Sequence, residues 1–264
     1  NQQRDVVKNE RRQSVENRPY GLAESQVLTE MLYPEGHPYH WPVVGYMDDL
    51  TAASYDDVVA FFRTYYAPAN ASLVVAGDIT PATARTLVEK WFGDVKAGAP
   101  VTPITVPGVM LTGVQRKTIT DRVQLPRLYM AWLTPASLAP GDAAMDIVAD
   151  VLAGGKNSRL YRRLVYEMQI AQSVSAFQNS QSLSSYFLIR ATPQPGHTPE
   201  ELQAVIDEEI AKLKASPPTD HEIQRALNQI EASFLNRMER VGSFGGKADQ
   251  DRKSTRLNSS HANI

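Results

Sequence analysis

The chain has 264 residues, 42% hydrophobic and 21% charged, and its 27 Lys and Arg against 29 Asp and Glu give a formal charge of −2. That balance suits a globular protein with one large core or two smaller ones and gives no support to a nucleic-acid partner. Cysteine is absent, which excludes disulfides and thiolate metal sites, and no apolar run is long enough to cross a bilayer.

A charged helix opens the chain and stops at Pro19, because a residue before proline is pushed out of the α region. Residues 22–32 form a short helical segment. Residues 33–42 form a loop held by three prolines and a glycine. Ser54 caps a helix that reaches about Tyr66, with Asp57 three residues on as a carboxylate variant of the capping box. The aromatic face of that helix reads as core. Residues 71–76 read as a strand, and Thr80-Pro81 opens a further helix that stops at Gly93. The Pro- and Gly-rich residues 98–114 read as an interdomain linker, with one extended passage. Strands follow at 115–119 and 127–133, the latter apolar on both faces and expected at the centre of a sheet. Helices at 141–152 and 158–168, strands at 173–177 and 185–192, and helices capped at Thr198 and Thr219 complete the chain. The order strand, turn, Thr-Pro cap, helix occurs at 73–91 and again at 186–213, which suggests two copies of one α+β unit.

Helical spacing puts Gln3, Val6, Glu10, Ser14 and Asn17 on one stripe, so Glu10 is expected to be partly buried and to need a cation, several hydrogen bonds or a metal. The alternative is a solvated face, with Lys8, Arg11 and Arg12 pairing Glu10 and Glu16. His37 and His40 sit in a loop whose prolines prevent helical convergence, and they read as structural or surface histidines. Gly154-Gly155-Lys156-Asn157-Ser158-Arg159 lacks phosphate-loop spacing and reads as a helix–helix turn. Neither a G-x-S-x-G elbow nor an H-x-x-E-H or H-E-x-x-H motif occurs.

Several stretches together carry a family resemblance. R-D-V-V-K-N-E-R-R-Q over residues 4–13, N-R-P-Y-G over 17–21, H-P-Y-H-W-P-V-V-G over 37–45, Y-Y-A-P-A-N-A over 65–71, V-V-A-G-D-I over 74–79, G-G-K-N-S-R-L-Y over 154–161 and F-G-G-K-A-D over 244–249 resemble, in order and spacing, the M16 (pitrilysin, insulinase, processing-peptidase) zinc metallopeptidases. The resemblance implies an α+β fold of two homologous α/β-sandwich domains, each a mixed or antiparallel sheet with helices packed on it. Residues 1–97 would be the C-terminal part of the first domain, 98–114 the linker and 115–250 a truncated second domain. Residues 251–264 look like the translation of a sequencing adapter and are left out of the fold reading.

The resemblance also implies a zinc-activated water that hydrolyses peptide bonds. Glu10 would be the third zinc ligand, with Gln3 and Asn17 on the same stripe orienting it. The two histidines and the glutamate base of H-x-x-E-H would lie upstream of Asn1, so the chain is expected to be a fragment that is inactive alone. Family members often carry an Arg and a Tyr seven residues apart that hold the substrate backbone; here those positions are Val165 and Gln172. Neither replaces a guanidinium or a phenol. The expectation is therefore the zinc-bearing subunit of a two-protein peptidase, acting on peptide substrates, with a homologous M16 subunit supplying the Arg and Tyr. A non-catalytic M16-like scaffold is the rival, and a bacterial periplasmic location follows from the resemblance alone.

Overall fold

The computed structural model describes residues 2–251; residues 252–264, most of the adapter-like tail, lie outside them. In chain order the helices are α1 (Gln2–Arg11), α2 (Leu28–Leu32), α3 (Met47–Ala52), α4 (Tyr55–Tyr65), α5 (Pro81–Phe92), α6 (Asp142–Ala153), α7 (Pro199–Ala215) and α8 (Asp220–Met238). The strands are β1 (Leu128–Thr134), β2 (Ala171–Asn179) and β3 (Ser185–Pro193). Three wider π-helical stretches occur at Arg12–Glu16, Ala23–Val27 and Tyr161–Glu167. The architecture is α+β, with helices around a small antiparallel sheet.

The chain divides into two compact units, one of Asn1–Ala52 with Thr105–Leu227 and one of Ala53–Ile104 with Asn228–Ile264. In the first unit the strands pair antiparallel in the order β1-β3-β2. β3 is central, and every residue in it except Arg190 is buried. One face of the sheet carries Phe187, Ile189 and Ala191 against Leu152 of α6, Leu160 just before the third π stretch and Leu164 within it, and Leu202 and Ile206 of α7. Burial of each such aliphatic side chain is worth roughly 1.5–3 kcal/mol. The opposite face carries Tyr186 and Leu188, with Tyr129, Ala131 and Leu133, against Leu28, Leu32, Tyr33, Tyr39 and Val109. Tyr33 and Tyr39 add polar ties, one hydroxyl donating to the Ser184 carbonyl at 3.2 Å and the other accepting the Leu183 N–H at 3.2 Å.

The α1 helix does not stop at Arg11 but widens, with the Asn17 N–H reaching the Arg12 carbonyl at 2.7 Å. The chain then reverses at Tyr20, which has φ 61°. At Gly21 a Cβ would stand 2.3 Å from the Val15 carbonyl oxygen, so only glycine permits this return.

In the second unit α4 carries the Ser54–Asp57 capping box, and α5 opens with Thr80 accepting the Thr83 N–H and Pro81 at its start. The aromatic face of α4 is not core. Phe61, Phe62, Tyr65 and Tyr66 are exposed, and their ring contacts are with one another along the helix.

The sheet corrects three expectations. Residues 71–76 and 115–119 form no strand. Alternating apolar residues favour extension, but a strand exists only where a neighbour completes its ladder, and Leu73 and Val75 stand exposed. β1 is also an edge strand, although both of its faces are covered: coverage of faces and pairing of edges are separate properties.

Glu222 links two of these elements. Its carboxylate caps α8 by accepting the Thr219 N–H at 2.8 Å, and it takes both Nε and Nη2 of Arg159 at 2.7 and 2.8 Å. The Arg159 guanidinium, foremost, holds the Glu222 pKa at about 2, against an ordinary value of 4.5. A depressed carboxylate pKa contributes stability above pH 4.5 that is lost as pH falls toward 2. Glu222→Gln should therefore cost roughly 1–3 kcal/mol at neutral pH. The gap from wild type should close on acidification across that window, as read by urea unfolding at a series of pH values.

Candidate functional site

Glu10 lies on α1 with its carboxylate in solvent, and no donor or cation among the described residues pairs with it. Neither sequence reading of this face holds in full. Gln3, Val6, Glu10, Ser14 and Asn17 are all exposed, so the stripe is not partly buried. The neighbouring cations do not neutralise Glu10 either. Arg12 donates to Asn9 at 2.7 Å, and Arg11 turns inward, away from Glu10. The face that packs is the one through Arg11 and Val15, four residues apart.

Arg11, 5% exposed, anchors the helix next to Glu10. Its Nη1 donates to the Gly45 carbonyl at 2.6 Å, its Nη2 to Gln26 Oε1 at 2.8 Å, and its Nε lies 3.3 Å from Glu16. Gln26 passes the chain on to Glu30 at 2.9 Å, and Glu30 also accepts the Tyr46 hydroxyl at 2.8 Å. Burial, first, and that bond to Glu30 push the Tyr46 pKa up to about 12, so the phenol remains a donor. Asn17 Oδ1 accepts from Arg122 at 3.1 Å, which ties the far end of this segment to the stretch preceding β1.

A larger ion cluster centres on Glu24, in the second π stretch. Its Oε1 accepts from Arg190 at 3.0 Å, from the Tyr129 hydroxyl at 3.0 Å and from Arg127 at 3.4 Å, and its Oε2 accepts from Arg18 at 3.2 Å. Arg127 also donates to Thr192 at 3.1 Å and stacks 3.6 Å over the Tyr20 ring. Tyr20 donates its N–H to Asp121 at 2.7 Å and its hydroxyl to the Leu125 carbonyl at 2.8 Å. The sequence reading missed this cluster. Its signal was Arg190 inside the apolar run Phe187-Leu188-Ile189-Arg190-Ala191, since a guanidinium in a buried strand requires an anion.

Both histidines of the 33–42 loop are structural. His37 stacks on Tyr33 with ring centroids 4.7 Å apart and accepts the Tyr39 N–H on Nδ1, and burial lowers its pKa. His40 Nδ1 lies 2.8 Å from the Tyr33 carbonyl. Val165 sits in the third π stretch against the main core, and Gln172 lies exposed in the bulge that opens β2. Among the described residues no group of three His, Cys, Asp or Glu side chains converges on one point. A catalytic zinc takes three protein ligands. Glu10, exposed and without a side-chain partner among the described residues, fits that ion as one donor and not as a complete site.

The two neighbouring side chains should therefore respond in opposite ways to substitution. Arg11→Ala should cost roughly 1–3 kcal/mol, because it removes a buried guanidinium and strands half-buried acceptors at Gln26 and Gly45. Glu10→Gln should stay within about 0.5 kcal/mol of wild type. Thermal unfolding of the two variants beside wild type measures both.

A family model described as "Peptidase M16 inactive domain" matches residues 52–230, a range that leaves out α1 and Glu10. The chain is 30% identical over 253 residues to the Zinc protease PqqE of Helicobacter pylori, covering 92% of this chain and 55% of that protein. It is 25% identical over 210 residues to the uncharacterised zinc protease YmxG of Bacillus subtilis, covering 78% of this chain and 49% of that one. Among solved structures, a protease from Helicobacter pylori superposes with a TM-score of 0.76 at 27% identity, covering 90% of this chain and 58% of that chain. The chain thus spans about half the length of the curated relatives it matches. With the family model covering well over half of it, this chain belongs to the M16 peptidase family.

Proposed function

We propose that this chain is part of a zinc-dependent M16 endopeptidase that hydrolyses peptides or unfolded polypeptides, and that Glu10 is one of its zinc ligands. The observation that carries the reading is the Glu10 carboxylate, exposed and without a partner among the described residues, beside a buried, multiply bonded Arg11. In the complete protein the other metal donors and the general base come from residues outside these 264, so this stretch is inactive alone. The bound ion would lower the pKa of its water and polarise the scissile carbonyl. This chain's own contribution is to hold Glu10 at a fixed place on α1 through Arg11, with Asn17 and Gln3 on the same exposed stripe.

The same proposal assigns residues 1–97 to the first of two homologous domains, 98–114 to a linker and 115–250 to the second. With Val165 and Gln172 at the positions of the Arg and Tyr, a homologous subunit supplies that pair and the enzyme works as a heterodimer. A bacterial periplasmic location accompanies this reading. The second reading is a non-catalytic M16-like scaffold. It is favoured by Val165 and Gln172, which carry neither a guanidinium nor a phenol, and by the name of the family model over 52–230.

Zinc content and peptidase activity of the complete protein, alone and mixed with its M16 partner, separate the two. The expected result is about one zinc per chain, lost in Glu10→Gln without loss of fold, and cleavage only in the mixture. Absence of zinc from the wild-type protein, or turnover by the protein alone as fast as by the mixture, would overturn the enzyme reading or the two-subunit reading respectively.

A further inference from the structure

The Glu24 cluster is unbalanced in charge. Arg18, Arg127 and Arg190 all point at one carboxylate, so three guanidinium groups face a single negative charge. Arg127 and Arg190 share the same oxygen, which brings two like charges together. Asp121 lies nearby on the chain, but its oxygens accept main-chain N–H groups of Tyr20 and Arg122. A guanidinium offers five N–H donors. Arg190 spends one on Glu24, and Arg127 one on Glu24 and one on Thr192. The Arg190 and Arg18 side chains are 36% and 57% exposed, so their remaining donors are open to solvent. Such a cluster favours a second anion, because the added charge relieves repulsion already present.

The position of the cluster suggests which anion. Thr192, which Arg127 holds, pairs in register with Ser173 of β2, and Arg190 pairs with Ser175. Gln172 is the residue before Ser173, in the bulge that opens β2. The surplus cations therefore stand beside the strand where the family resemblance puts a substrate-holding residue and this chain has only an amide.

We propose that Arg190, with Arg18 and Arg127, forms a binding site for a carboxylate of a peptide ligand, either its C-terminus or an Asp or Glu side chain. The ligand class rests on the peptidase reading above; the site itself rests on the charge geometry. Three guanidiniums already meet the Glu24 carboxylate, and the incoming carboxylate takes their unused donors. Glu24 is then a competitor as well as an anchor: it holds the arginines in place and partly satisfies them.

The experiment uses the complete protein mixed with its M16 partner, and fluorescent peptides of one sequence in matched forms: free or amidated C-terminus, and internal Glu or Gln. Equilibrium binding is read by anisotropy and cleavage is read in parallel. The wild-type protein should bind a free-carboxylate form about ten-fold more tightly than its neutral match, and about 0.5 M salt should shrink the difference. Whichever of the two pairs shows the preference identifies the source of the carboxylate. Arg190→Gln should bring the ratio to about one. Glu24→Gln, which keeps a hydrogen-bonding side chain but removes the competing charge, should raise affinity for the carboxylate form several-fold. A cluster that is structural only would give no preference in wild type, or an equal ratio in wild type and Arg190→Gln, and either result overturns the proposal. Weaker carboxylate binding in folded Glu24→Gln would also overturn it. Should Arg190→Gln fail to fold, the more exposed Arg18→Gln carries the same test with a partial loss. Binding preference without cleavage would leave this site standing and count against the peptidase reading; cleavage without preference would do the reverse.

Discussion

The first compact unit depends on Glu24. It is assembled from two stretches that are far apart in sequence, residues 1–52 and 105–227. A patch of apolar packing between them centres on Leu32, Tyr33, Tyr186 and Leu188. Apolar contact is not directional, so it fixes proximity better than orientation. The Glu24 carboxylate supplies the orientation. It accepts hydrogen bonds from Arg18 in its own stretch and from Tyr129 and Arg190 on two adjacent strands, with Arg127 as a fourth donor. The dependence is mutual. Without Glu24, Arg190 would be a bare cation on the central strand of the sheet, and the desolvation of Arg127 against the Tyr20 ring would have no anion to offset it.

Some of this architecture was legible because it is local. The capping boxes at Ser54–Asp57, Thr198–Glu201 and Thr219–Glu222 and the Thr80-Pro81 start each lie within four consecutive residues, and the helices begin at those points. The strands were less legible because half of a strand's stabilisation belongs to its neighbour. Residues 71–76 form an apolar run that pairs with no strand among the described residues, whereas residues 185–193 take the central place because β1 and β2 flank them. The π stretches carried no signal in spacing at all. A widened turn at Arg12–Glu16 shifts every later residue around the helix, which is one reason a stripe drawn at ideal periodicity did not mark the buried face.

The candidate site residues divide along the same line. Glu10 was singled out through the family resemblance of its surroundings, while helical spacing alone placed it on a face that proved to be exposed. Glu24 was not found, because its strand donors lie more than a hundred residues away and nothing near it in sequence distinguishes it from a surface glutamate. The lone arginine in an apolar strand was the readable half of the pair. Its requirement for an anion is set by solvation physics and holds for any fold that buries the strand.

Arg11 and Glu10 together show how α1 is used. One residue turns inward and is tied to three separate partners; the next turns outward and is tied to none among the described residues. The inward side chain fixes the position of the helix, and that position is in turn held to the sheet through Arg18, Glu24 and the Asn17–Arg122 contact. The outward carboxylate contributes nothing to that framework. On the proposed reading that carboxylate is a metal donor, and a helix held through Arg11 lowers the entropic cost of positioning it.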